Sequence, residues 1–259
     1  MSKPLTQIEV INHKKVAIKA LNSLLEKYIN SGDTSLLKKA DLISYWVESF
    51  SNYVDFESKF DSSRLIRYSR GDVIRVNFGF NIGKELGGLH LAVVLDNDNK
   101  QSADVITVLP LSSSSGKTIH ERSVDLGTEL YTKITSVQDK LILDLKAEME
   151  ELKRIYYALQ LALQESDNEK DALSNPIELQ KELDGKIKSL NETLIRAEKN
   201  RFEISKLKSG SMAVTNQITT VSKQRIYTPK KSEDFLYGIS LSTTAMEKIN
   251  RKILELYTR

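Results

Sequence analysis

The chain has 259 residues, of which 40% are hydrophobic and 28% are charged, a composition typical of globular rather than disordered proteins. It contains no cysteine, which excludes a disulfide framework, a thiolate metal site and a cysteine nucleophile. The net charge is only +3, too small by itself to indicate a nucleic-acid partner.

The distribution of charge is more informative than its sum. Residues 140–200 hold ten Lys and Arg against thirteen Asp and Glu, so this segment carries −3 and the rest of the chain +6. A polyanion is therefore expected to bind outside residues 140–200. No stretch has the length and apolarity of a signal peptide or a membrane span, so we expect a cytoplasmic protein with no membrane contact.

The N-terminal part of the chain has a helical pattern. Apolar residues recur near the helical period from Val10 to Tyr28, and a Ser-Gly-Asp sequence at 31–33 interrupts them before a second periodic stretch. We interpret Trp46, in that second stretch, as a packing residue. Residues 1–66 are thus predicted to form an N-terminal helical extension.

The pattern then changes to short strands. Residues 72–78 alternate apolar and polar side chains, residues 91–95 are a continuous apolar run, and residues 104–109 form another strand that Pro110 is expected to close. Glycines and an Asp-Asn-Asp-Asn turn separate them. Several short strands joined by turns are typical of a small barrel or sandwich, of which residues 67–128 would be the first part.

A long helical insertion is predicted next. Apolar residues recur every three or four positions over 134–162 and again over 179–204, and the segment between them is polar and ends in Pro176. This pattern indicates an antiparallel coiled-coil hairpin, assigned to residues 129–208.

Strand character returns at residues 212–221, and a final helix is expected near Ser242, where Thr244 and Glu247 have the spacing of a capping box. Residues 209–259 would complete the barrel with a C-terminal helix. The predicted fold class is therefore α+β, with the hairpin interrupting the β-rich domain.

Three blocks, in this order, resemble the MazF/PemK toxins. The first begins with Arg70-Gly-Asp and continues through a Gly-rich loop to Asp98. The second, residues 108–113, contains Pro-Leu-Ser, and the third, residues 211–226, contains Gln-Ile-Thr-Thr-Val-Ser-Lys-Gln-Arg. The resemblance covers roughly residues 68–125 and 209–259.

The resemblance implies a function as well as a fold. It implies a dimeric SH3-like barrel that cleaves single-stranded RNA, such as mRNA, without metal or cofactor. It also implies a cognate antitoxin protein that covers the RNA groove. Such cleavage uses the 2′-hydroxyl of the RNA as the nucleophile. The protein must accept its proton, protonate the leaving 5′-oxygen and stabilise the phosphorane between them.

The resemblance also implies catalytic positions. The family's Thr or Ser after Pro-Leu corresponds to Ser112, which would donate a hydrogen bond to the phosphate. The family's catalytic Arg, in a Gly-Gly-x-Arg-Pro context, is replaced by His90, and Leu91 replaces the Pro. Imidazole exchanges protons near neutral pH, so we interpret His90 as a general acid or base, the alternative being a barrel histidine in a protein that does not cleave. Glu85 would orient His90 or merely be solvated.

The remaining candidates concern RNA binding. Lys and Arg on or beside the strand loops would contact phosphates, and Phe80 would stack on an unpaired base. His120 is either a second acid or base or a surface residue. His90 and His120 are too isolated to indicate a metal site. The predicted RNA-binding residues are Arg70, Arg75, Phe80, Lys84, Lys117, Lys223 and Arg225.

Two other functions stay open. One is a catalytically silent barrel that binds nucleic acid or a protein target, because a fold does not determine a function. The other is an interaction scaffold in which the coiled-coil arm is the working element. The N-terminal helices would in addition be able to cover the groove as a built-in restraint.

Overall fold

The computed structural model describes residues 5–116, 118–165 and 174–258. It combines helices with an antiparallel sheet, so the predicted α+β class is confirmed. The described residues fall into two compact units. The first comprises residues 5–60 and 78–88, and the second comprises residues 61–77 together with the described residues from 89 onward.

The first unit is a pair of helices with the loop 78–88. Helix α1 spans Gln7–Ile29 and helix α2 spans Thr34–Phe56, as the periodicity predicts. Thr6 and Glu9 form a capping box at the start of α1, and the carboxylate of Asp33 caps α2. Trp46 packs against the backbone of Gly79, where a Cβ atom would lie only 2.7 Å from the indole ring. Position 79 therefore requires glycine.

Seven strands of the second unit form one antiparallel sheet. Its order is β4-β5-β3-β2-β1-β7, with β6 paired to the first part of β3. Among the described residues β4 and β7 do not pair, so the sheet is not closed and the predicted SH3-like barrel is not confirmed. The strands are β1 Val73–Asn77, β2 Leu89–Val94, β3 Val105–Ser113, β4 Ser123–Gly127, β5 Ser211–Val214, β6 Thr219–Ser222 and β7 Ile226–Thr228.

Strand β3 is longer than expected. The prediction that Pro110 closes it is wrong, because the strand continues to Ser113. Proline lacks the N–H that a ladder needs. Here it is tolerated because β3 changes partners at this point: its pairing with β2 ends at Pro110, and the following residues pair with β5 on the other edge.

A helical hairpin separates β4 from β5. Helix α3 spans Glu129–Glu165 and α4 spans Ser174–Ser205. The helices are antiparallel, since Gln138 donates a hydrogen bond to the carbonyl of Ala197 (3.1 Å) and Gln180 donates one to the hydroxyl of Tyr156 (3.4 Å). Most of the predicted polar loop, residues 166–173, lies outside the described residues.

One hydrophobic core joins the sheet, the base of the hairpin and the last helix, α5 (Thr243–Tyr257). The cap of α5 is Ser242, whose hydroxyl accepts the N–H of Ala245 at 3.1 Å. Glu129, at the start of α3, accepts hydrogen bonds from the backbone N–H (2.6 Å) and the hydroxyl (2.9 Å) of Ser242. No helix in the described part of the chain is long and apolar enough to cross a bilayer. Core residues include Val73, Leu109, Leu111, Leu130, Ile134, Ile204 and Ile249.

Candidate functional site

A cleft opens where strands β2 and β3 separate. Their ladder ends at the pair Ala92 and Pro110, after which neither strand pairs with the other. If the register continued for two more residues, it would place His90 opposite Ser112. The separated ends of the two strands instead line a cleft of about 340 Å³, so the cleft follows from the change of partners at Pro110.

The residues that line the cleft come from two parts of the fold. Strands β1, β2 and β3 contribute Arg75, His90 and Ser112. The base of the hairpin contributes Tyr131 on α3 and two lysines after α4, Lys206 and Lys208. Among the described residues, no carboxylate lines the cleft, so the side chains that surround it favour an anionic ligand.

Three of the predicted site residues therefore meet in one place. His90 is half-buried on β2, where its Cα pairs with that of Val76 on β1. Ser112 is half-buried on β3, where it pairs with Met212 of β5. His90 and Ser112 thus each lie on a strand that is still paired to another neighbour, β1 or β5, at the point where β2 and β3 separate. This pairing fixes the position of each residue without filling the cleft.

Arg75 supplies a permanent cation to the same cleft. It is half-buried in the middle of β1, and its guanidinium carbon lies 5.6 Å from the centre of the Tyr227 ring. The charge of Arg75 also acts on Glu203, an exposed acid outside the lining of the cleft. The hydrogen bond from Lys206 is the main cause that lowers the pKa of Glu203, and the charges of Arg75 and Lys199 lower it further.

The predicted phosphate contact Lys223 has a structural role instead. Lys223 is completely buried, and its ammonium donates to the carbonyls of Lys100 (2.9 Å) and Gln101 (3.2 Å). Burial lowers its pKa, although Asp104 and Asp96 oppose the effect. An ammonium bonded in this way is not exposed to a phosphate. The prediction of Lys223 as an RNA-binding residue is therefore corrected.

The guanidinium of Arg70 is likewise part of the packing. It is half-buried and donates to the carbonyl of Leu95, directly after β2, and to the side-chain oxygen of Asn250 on helix α5. Arg225 is also half-buried, and its Nε donates to the carbonyl of Asn77 at 2.8 Å. Neither arginine lines the cleft. Lys117 lies outside the described residues.

The other three predicted residues belong to the loop 78–88 of the first unit. Phe80 is half-buried, and Lys84 is exposed. Glu85 is exposed, and its carboxylate accepts a hydrogen bond from the backbone N–H of Ile82 at 3.3 Å. The carboxylate thus helps to shape its own loop, and its predicted role in orienting His90 stays a prediction.

His120 does not line the cleft. It is exposed just before β4, where its Nδ1 accepts the backbone N–H of Arg122 at 3.1 Å. Across the described ranges, no group of three or more His, Asp or Glu side chains could hold a metal ion.

Sequence reasoning missed Tyr131, Lys206 and Lys208. The helical periodicity assigned all three to the hairpin, and a hairpin's charged residues are normally solvated. The available signal was the Lys-Leu-Lys-Ser-Gly run at 206–210, where two cations flank an apolar residue directly before a glycine and a returning strand.

The sequence was also compared with known proteins. Residues 69–156 match the family model described as the PemK-like, MazF-like toxin of type II toxin–antitoxin systems. The match includes β1 to β4 and runs into α3. No curated protein matches the chain. The resemblance to MazF/PemK toxins expected from the sequence is therefore confirmed over this stretch.

Proposed function

We propose that this protein is the toxin of a type II toxin–antitoxin system and that its cleft cleaves single-stranded RNA without a metal ion. The observation that carries the proposal is that His90, Ser112 and Arg75 line one cleft, to which the described part of the chain contributes no carboxylate. The family match over residues 69–156 supports the same function.

The three side chains supply the parts that the reaction needs. The 2′-oxygen attacks the adjacent phosphorus, the bond from phosphorus to the 5′-oxygen breaks, and the products are a 2′,3′-cyclic phosphate and a 5′-hydroxyl. His90 accepts the proton of the 2′-hydroxyl as general base and, as the imidazolium, passes that proton to the leaving 5′-oxygen as general acid. Ser112 donates a hydrogen bond to a non-bridging oxygen of the phosphorane.

Arg75 completes this arrangement. Neutral histidine lacks the permanent charge of the arginine that stands at position 90 in the family. Arg75, on the neighbouring strand, lines the same cleft and carries that charge. We therefore assign stabilisation of the phosphorane to Arg75 and Ser112, and proton transfer to His90.

The finer features of the family belong to the same proposal. They are an SH3-like fold in which the open sheet is an incomplete barrel, a homodimer, a cytoplasmic location and a cognate antitoxin protein that blocks the RNA site. The loop 78–88, with Phe80, Lys84 and Glu85, is proposed to contact RNA or to orient catalytic groups. Arg225 is proposed only as a secondary phosphate contact because its Nε already holds the Asn77 carbonyl.

The silent binding protein is the second candidate, and histidine at the family's arginine position is the observation that favours it. A cleft lined by cations and hydroxyls would hold a polyanion whether or not it cleaves. The two functions share a ligand and differ in its fate.

Cleavage of a long single-stranded RNA in the presence of EDTA distinguishes them. Wild-type protein is expected to give discrete fragments with 5′-hydroxyl ends, and His90→Ala is expected to lose at least 100-fold in rate because general acid–base catalysis contributes about 10²–10⁴-fold. His120→Ala is the matched control, since His120 is exposed and does not line the cleft.

Three results would contradict the proposal. Equal cleavage by wild type and His90→Ala would remove His90 from the mechanism. Cleavage that stops in EDTA would remove metal independence. The third result is RNA that stays intact. In that case a variant that begins at Asp61 would test whether the N-terminal helices inhibit the full-length protein. That start keeps the carbonyls of Ser63 and Leu65, to which Gln101 donates. If this variant also leaves the RNA intact, the result would favour a protein that binds RNA without cleaving it.

A further inference from the structure

We propose that the base of the inserted hairpin is part of the RNA site, with Lys206 and Lys208 binding phosphates and Tyr131 stacking on an unpaired base. This inference rests on the proposed function and deepens it, because it identifies a second set of RNA contacts in the same cleft. The long hairpin would then complete the site at its base.

The position of these residues is the first argument. Tyr131 lies in the first turn of α3, and Lys206 and Lys208 follow the end of α4, so both ends of the hairpin reach the cleft. They line the same cleft as His90 and Ser112. An RNA strand with its phosphate at His90 and Ser112 would therefore also touch the hairpin.

Charge is the second argument. Lys208 is exposed and has no hydrogen bond or ion pair with any residue that the structure describes. Lys206 pairs with Glu203 at 2.6 Å, and its ammonium lies 4.3 Å from the Phe202 ring centre. That pair is about half exposed on both sides, and such surface pairs contribute little free energy. A phosphate can therefore replace Glu203 as the partner of Lys206.

Rigidity is the third argument. Leu207, between the two lysines, packs against the hydrophobic core, and Ile204 one turn earlier is buried in it. Leu130, next to Tyr131, and Ile134, one turn later, are buried in the same core. The backbone that carries the three proposed contacts is thus fixed relative to the strands, which is the arrangement that a preorganised binding site requires.

Tyr131 has the surroundings of a stacking residue. It is half-buried and lines both the cleft and a second cavity between α3 and α4. Its ring is therefore not enclosed by packed side chains. Its hydroxyl has no hydrogen-bond partner among the described residues. Aromatic rings exposed in this way bind unpaired bases without requiring a particular sequence.

The test measures binding separately from cleavage. A 2′-O-methyl RNA oligonucleotide lacks the nucleophilic hydroxyl, so it cannot be cleaved by the proposed mechanism and can be titrated with the unmutated catalytic residues in place. We would measure its affinity by fluorescence anisotropy over a series of salt concentrations. The variants are Lys206→Gln with Lys208→Gln, Tyr131→Ala and Tyr131→Phe.

The matched control is Lys146→Gln with Lys153→Gln, which removes the same charge from exposed positions farther along the hairpin. The double variant at the base is expected to lower the salt slope of binding by about 1.4, because each phosphate contact on a single strand contributes about 0.7. Tyr131→Ala is expected to bind about 5- to 150-fold more weakly, and Tyr131→Phe is expected to keep wild-type affinity. The control pair should leave the slope unchanged.

The outcomes separate this inference from the proposed function. Cleavage of ordinary RNA with an unchanged salt slope in the base variant would overturn the inference and leave the function standing. Weakened binding by that variant in a protein that never cleaves would support the inference and overturn the function. Equal losses in the base and control variants would show a general charge effect and would overturn the inference. Spectra and denaturation midpoints that match wild type would confirm that each variant is folded.

Discussion

The two ends of the inserted hairpin differ in what they pack against. At its base, Leu130, Ile134 and Ile204 are each no more than 3% exposed, and they share one core with the strands. Farther out, α3 and α4 hold each other through a small separate cluster of Ile142, Leu145 and Ala197. Apolar residues with the same spacing are thus core residues of the sheet at one end and residues of a two-helix contact at the other.

The difference shows that part of an insertion can pack into the hydrophobic core of the domain that it interrupts. In the outer part, Ile155 is 45% exposed and Leu179 is 46% exposed, so part of the predicted apolar pattern is not buried within this chain. At the base, by contrast, Leu130, Ile134 and Ile204 are buried in the core. Removal of the whole arm at Gly127 and Gly210 would therefore take Leu130, Ile134 and Ile204 out of the core and would not test the arm alone.

The largest effect is expected from Ile134→Ala. Ile134 is 1% exposed in the shared core, and replacing a buried isoleucine by alanine costs about 2–5 kcal/mol through lost transfer free energy and the cavity left behind. The free energy of unfolding would be measured by urea denaturation. The control is Leu143→Ala, at an exposed position of the same helix, which is expected to change it by less than about 0.5 kcal/mol. Similar losses in the two variants would contradict the division between base and outer part.

A smaller effect is expected from Glu129→Gln, which tests how the base is fixed to α5. Burial by itself would raise the pKa of Glu129, but hydrogen bonds from Ser242 and the charge of Lys133 outweigh it, so its pKa lies below the ordinary value of 4.5. A carboxylate with a lowered folded-state pKa stabilises the fold above the unfolded-state value. Hydrogen bonds to a charged group contribute about 1.5–3 kcal/mol, and this is the expected loss at pH 7.

The sign of the pH dependence makes this prediction specific. As pH falls below 4.5 and through the folded-state pKa, wild type loses the contribution of Glu129, so the difference between wild type and Glu129→Gln should shrink. Urea denaturation at pH 7 and at several acidic pH values measures that difference. Glu182→Gln, in an exposed hairpin pair with Lys186, is the control and should change stability little at any pH. A constant difference at every pH would contradict the assigned role of Glu129.

The elements of the fold could be predicted because their patterns are local. Alternation over 72–78 predicted β1, and the three- and four-residue spacing predicted α3 and α4. The errors occur where tertiary contacts determine where a strand ends. Pro110 reads as a strand end, yet β3 continues because its pairing moves from β2 to β5. The strand pattern over 212–221 is divided between β5 and β6, with a helical turn at Thr215–Gln217 between them.

The site could be predicted only in part, for a related reason. The resemblance selected His90 and Ser112, and the structure places both in one cleft. The same reasoning treated Lys223 as a surface cation because charge is visible in a sequence and burial is not. It missed Lys208 because residues on opposite sides of an insertion of roughly eighty residues meet only after folding.

The smallest effect is expected from shortening the hairpin while keeping its base. Deleting residues 149–189 and joining the ends with a short flexible linker would retain Ile142, Leu145 and Ala197, the cluster that holds the two helices together. It would also retain Tyr131, Lys206 and Lys208. Affinity for 2′-O-methyl RNA, and cleavage where wild type cleaves, should remain at the wild-type level because no proposed RNA contact is removed. If the outer hairpin itself binds RNA, this deletion should lower the affinity instead. A loss of affinity in a variant whose core still unfolds cooperatively would therefore place RNA contacts in the outer part of the hairpin and contradict the assignment of binding to the base.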